Sequence, residues 1–113
     1  MKIIVYIIAT IWYPPQQARA YAKIAFESLK KFPFDKNLSK IILLGAVSNT
    51  EEGLRLISIA EIKEGKTKEA VLLASKRILF TAEGIEGLKY KIETCMSVAE
   101  AITTVDMQLP DDL

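Results

Sequence analysis

No histidine occurs among the 113 residues, which removes the commonest metal ligand and the commonest general base near neutral pH. Ser–His and Cys–His nucleophile pairs are thereby excluded, as are His-ligated haem and zinc. A metal held by carboxylates alone would need a DxDxDG-type loop or a close acidic cluster, and the sequence shows neither. Cysteine is almost as scarce. Cys95 stands alone, so no internal disulfide can form and a reducing, cytoplasmic setting is expected. Without a histidine to activate it, Cys95 reads as an inert buried thiol. An excess of one charge is also missing: Lys and Arg number 15 against 14 Asp and Glu. No overall field therefore selects nucleic acid or an acidic membrane as partner. The apolar stretch near the N-terminus is too short to span a bilayer, and no A-x-A-like cleavage site follows it, so neither a membrane span nor a secretory signal is expected. Linkers, internal repeats and low-complexity segments are absent. No motif asks for a cofactor, because Gly65-Lys66-Thr67 lacks the upstream glycine of a phosphate loop and reads as a turn and a helix cap.

What is present is an apolar globular chain, 50% hydrophobic and 26% charged, of a length that makes one domain. Residues 1–107 are read as that domain and residues 108–113 as a polar, acidic tail. Lys2 to Pro15 is an almost unbroken run of β-branched and aromatic residues closed by Pro14-Pro15, the pattern of a strand apolar on both faces. A chain this small can cover one face with its own helices. The other face is expected to meet a second copy.

Pro15 suits the opening turn of a helix. Ala18, Tyr21, Ala22, Ala25, Leu29 and Phe32 form its apolar stripe, with Arg19, Lys23, Glu27 and Lys30 on the solvated side. Phe32-Pro33-Phe34 ends it. Lys40 to Asn49 and Leu54 to Lys63 read as two strands joined by a short hairpin turn, with Gly53 placed for positive φ. Ile41 to Val47 is apolar at every position except Gly45, so its facing is left open. Thr67 is the expected cap of a second helix with Ala70, Val71, Ala74 and Ile78 inward, and Gly84 its left-handed C-terminus. Leu88 to Met96 alternates Leu88, Tyr90 and Ile92 against Lys89, Lys91 and Glu93, a half-buried strand. Ser97 and Glu100 have capping-box spacing for a short third helix over Val98 to Thr104.

The order strand, helix, strand, strand, helix, strand with right-handed crossovers predicts an α+β fold: a ferredoxin-like βαββαβ antiparallel sheet in the order 4-1-3-2. Both helices lie on one face, and a short C-terminal helix follows. Ile59-Ala60-Glu61-Ile62-Lys63-Glu64-Gly65-Lys66 and Ile85-Glu86-Gly87 resemble small uncharacterised archaeal proteins of the dimeric α/β-barrel superfamily, in which two such sheets pack face to face. The resemblance runs over nearly the whole chain. It implies a homodimer by sheet-to-sheet packing, with a higher oligomer left open, and it brings no catalytic residue.

If Ile3, Val5, Ile7, Ala9 and Ile11 face the helices, then Ile4, Tyr6, Ile8, Thr10 and Trp12 face away. Arg55, Ile57, Ile59 and Glu61 join them from the third strand, and Lys89, Lys91 and Glu93 from the fourth. Antiparallel neighbours then bring Thr10 and Trp12 beside Arg55 and Lys89. An aromatic wall, a hydroxyl and two cations suit a small planar anion such as a carboxylate. The plainer alternatives are Trp12 as interface core, Arg55 paired across the dimer and Lys89 guarding a sheet edge. Tyr6 and Glu61 form a second candidate, the donor and base that cofactor-free monooxygenases and small isomerases of this architecture would need. RNA recognition is not expected, because Leu54-Arg55-Leu56-Ile57-Ser58-Ile59 carries no stacking aromatics. The function read from the sequence is a cytoplasmic homodimeric module that binds a small anion or serves assembly, without catalytic apparatus. The alternative is a small cofactor-free enzyme using a cavity in the dimeric barrel.

Overall fold

The computed structural model describes residues 4–112. Lys2 and Ile3, placed at the head of the first strand by the sequence pattern, lie outside the described residues, as does Leu113. β1 (Val5–Tyr13) runs through a 3-10 turn at Pro15–Gln17 into α1 (Ala18–Lys31). β2 (Ser39–Thr50) and β3 (Gly53–Ile62) follow, then α2 (Thr67–Glu83), β4 (Lys89–Met96), α3 (Val98–Ala101) and a second 3-10 turn at Ile102–Val105. The strands lie in the order β2-β3-β1-β4 with every neighbouring pair antiparallel. This is the expected order read from the opposite edge.

Alternation sorts the residues of β1 as expected. Ile7, Ala9, Ile11 and Tyr13 are buried against the helices. They divide between two clusters, one joining Ile11 and Tyr13 to Tyr21, Ile78 and Ile85, the other joining Ile7 to Ile62 and Ala70. The Tyr13 and Tyr21 rings stack at 4.1 Å between centroids. Burial, followed by the neighbouring Tyr13, pushes the Tyr21 hydroxyl up to about 12. The core is thin: among the described residues no large side chain falls below 2% exposure. The radius of gyration, 15.9 Å, exceeds the roughly 13 Å expected of a compact domain this long.

Three local expectations need correction. Lys66, not Thr67, occupies the N-cap of α2, no side chain caps that end, and Thr67 is the first helical residue. Gly84 has φ −96°, so it is not left-handed. A Cβ there would come 2.5 Å from Ile24 Cδ1 on α1, the movable end of a side chain. Finally, the helix expected over Val98 to Thr104 is α-helical only to Ala101 and continues as the 3-10 turn, although Ser97 Oγ does accept from the Glu100 N–H at 3.2 Å as its cap. The Glu100 carboxylate, however, accepts the Ile4 backbone N–H at 2.6 Å instead of the Ser97 N–H, tying the C-terminal helix to the start of the sheet. Gly53 behaves as expected, with φ +113° and room only for hydrogen beside the Tyr13 carbonyl. The Thr50 hydroxyl donates to its carbonyl at 2.8 Å to close the two-residue turn.

β2 explains why its facing was unreadable. Its register against β3 shifts twice, between Ile41 and Leu43 and again between Leu43 and Ala46. Each shift changes which side chains share a face with β3.

Candidate functional site on the outer sheet face

Residues directly opposite one another in adjacent strands share a face of the sheet. The register therefore draws the outer face row by row. At one end Trp12 lies directly opposite Arg55 of β3 and Lys89 of β4. Ser48 of β2 continues the row beyond Arg55. In the next row Thr10 lies between Ile57 and Lys91, and then Ile8 between Ile59 and Glu93. At the far end Tyr6 lies between Glu61 and Cys95, with Lys40 opposite Glu61. Trp12, Arg55 and Lys89 thus occupy one row and Thr10 the adjoining one. Tyr6 and Glu61 are direct neighbours three rows away.

Burial separates these groups. Thr10 is buried and Trp12 and Arg55 are half-buried, while Lys89, on an edge strand, is exposed. Arg55 Nε is fully covered yet has no hydrogen-bond partner among the described residues. An orphaned buried donor is costly, and a guanidinium offers its donors in a planar fork matched to carboxylates. Lys91 and Glu93 pair at 3.3 Å along β4. This is the only ion pair among the described residues, so the plainer alternative for Glu61, pairing with Lys63 or Lys91 instead of acting as a base, is not met. Cys95 is half-buried on this face beside Tyr6, not enclosed as expected. The middle of the face, Ile8, Ile57 and Ile59, is apolar and only partly covered. Among the described residues no three His, Cys, Asp or Glu side chains gather to hold a metal.

The sequence pattern missed a second concavity, on the opposite side of the sheet. Two adjoining cavities of about 440 and 110 Å³ lie between the helices and the β2–β3 side of the sheet. Tyr21, Leu29 and Val47 line the larger one, and Ala70, Ala74 and Arg77 the smaller. Arg77 Nε donates to the Phe32 carbonyl at 2.9 Å, its guanidinium stacks 4.3 Å over the Phe34 ring, and burial lowers its pKa. Arg77 falls in the helical stripe Ala70, Ala74, Arg77, Ile78, the one signal in the sequence that could have marked it as inward.

A dimeric ferredoxin-like protein from an uncultured marine organism superposes on the chain with a TM-score of 0.57 at 15% identity, over 86% of this chain and 97% of that one. The fold is ferredoxin-like. A second dimeric ferredoxin-like protein from an uncultured marine organism gives 0.47 at 11% identity over 87% and 90% of the two chains. A conserved protein from Methanosarcina mazei Go1 gives 0.49 at 10% over 82% and 91%. No protein-family model matches the sequence, and no curated protein does. Among the described residues no helix is long and apolar enough to cross a membrane.

Proposed function

We propose that this ferredoxin-like chain is a homodimeric binding module. Its outer sheet face packs on that of a second copy, and a small planar anion is held at one end of the interface by Arg55, Trp12, Lys89 and Thr10. The covered, unpartnered Arg55 Nε directly across from Trp12 carries the reading. The partly covered Ile8, Ile57 and Ile59 support the pairing of faces, since an apolar sheet face on so thin a core calls for a cover. The structurally similar marine protein is described as dimeric. The likeness of Ile59 to Lys66 and of Ile85 to Gly87 to small archaeal proteins of this architecture points the same way, and a cytoplasmic setting, read from the lone cysteine, completes the proposal.

Native mass spectrometry of protein purified without added ligand tests this first. A dimer releasing a reproducible small mass is the expected result, and a bare monomer would overturn the pairing. With benzoate as a probe anion, Arg55→Ala weakens binding at least tenfold and leaves the dimer intact. Loss of the dimer instead would make Arg55 an interface residue and remove the anion site.

A second reading, a cofactor-free enzyme working through Tyr6 and Glu61, draws on their direct opposition in the β1–β3 register. It requires a closed, partly polar cavity between the two sheets. A dry, fully packed interface in a crystal of the dimer would remove it.

A further inference from the structure

On the helix side of the sheet, α1 stands off β2 and β3 and leaves the two adjoining cavities, which share the lining residues Ile11, Phe34, Leu44 and Ser58. The larger, about 440 Å³, falls within the size range of small-molecule sites and has their mainly apolar lining. It has room for roughly fifteen heavy atoms at a water's share of volume. Leu44 at 64% and Phe26 at 65% exposure leave apolar surface at its mouth. The smaller cavity is lined by Arg77, and among the described residues no carboxylate lies within ion-pair distance of that cation. Arg77 Nε is engaged by the Phe32 carbonyl and the face of the fork by Phe34. The two terminal nitrogens make no hydrogen bond among the described residues. The Ser58 hydroxyl, where the cavities meet, makes none either.

A half-buried cation without a carboxylate partner at one end of an apolar groove is complementary to a flexible hydrocarbon ending in an anion. We propose that this groove binds an amphipathic carboxylate, its tail between α1 and the sheet and its head on the terminal nitrogens of Arg77. The site lies across the sheet from the Arg55 row and does not depend on it.

Titration calorimetry with dodecanoate below its micelle threshold tests this, with dodecanol as the uncharged control. Saturable one-to-one binding of dodecanoate is expected, at least tenfold tighter than dodecanol. Arg77→Gln removes that preference. Because Arg77 also holds Phe32 and Phe34, Ala22→Phe, which fills the larger cavity from α1, serves as a second variant. A normal thermal melt for Ala22→Phe with binding lost supports the site. Benzoate, the probe for the outer face, does not displace dodecanoate from the groove, so failure on one face does not carry over to the other. Equal affinity for dodecanoate and dodecanol, undiminished binding in Ala22→Phe, or a groove that binds no dodecanoate because a second copy covers it would each overturn the proposal.

Discussion

β1 and β2 each carry apolar residues on both faces and meet opposite environments. VYIIATIWY is the spine of the core, with Ile7, Ala9, Ile11 and Tyr13 buried on one face and Thr10 on the other. IILLGAV, in β2, is exposed along its whole length, with Ile42 at 53%, Leu44 at 64% and Val47 at 55%. Composition makes both segments strands, and position in the sheet decides what covers them. β1 has a hydrogen-bonded neighbour on each side, whereas β2 has only β3. An apolar edge strand left open is a liability unless something else covers it. A second copy on the outer face and a hydrocarbon chain on the inner one are the covers proposed above.

The contrast sharpens first in stability. Ile11→Ala should cost about 3 kcal/mol by cavity formation in the core, measured by urea denaturation of the dimer and of any monomeric variant. A cost near zero would mean that β1 is not the spine. Next, Ile8→Lys, on the outward face of β1, should raise the dimer dissociation constant at least tenfold, or about 1.4 kcal/mol. An unchanged dimer by sedimentation equilibrium would clear that face of any role in pairing. Glu100→Ala removes the acceptor of the Ile4 N–H and should cost about 1 kcal/mol, with hydrogen exchange at the start of β1 rising most.

Tyr21, stacked on the last residue of β1, supplies a pH test. Its folded pKa, raised to about 12, stands above the unfolded value of about 10. The folded state therefore holds this proton more tightly, and the associated stability is intact below pH 10 and lost as pH climbs toward 12. Tyr21→Phe should flatten the fall in melting temperature across that window. A fall as steep as that of the wild type would place its cause elsewhere. Leu44→Ala, in the exposed strand, should change stability by less than about 0.5 kcal/mol.

Much of this was legible in the residues, for definite reasons. Period-two alternation gave the facing of β1 and β4, the Gly53 turn gave the hairpin, and the crossover rule gave the strand order. Together these put Trp12 in the row of Arg55 and Lys89 before any coordinates. Features that arise between elements were not legible. The two register shifts in β2 leave no mark in a segment apolar on both sides. Gly84 does end its helix as the sequence suggests, but at φ −96° and not in the left-handed conformation. Nothing local to Arg77 announces its contacts with Phe32 and Phe34, far away in the chain. Nor does the spacing of α1 show that the helix stands clear of β2 and β3.

Sedimentation velocity of the wild-type chain at micromolar concentration bears most directly on the pairing of outer faces. A single boundary at the mass of two chains is the predicted result. A single boundary at the mass of one chain would contradict it and leave the apolar outer face of β1 and β3 without a cover.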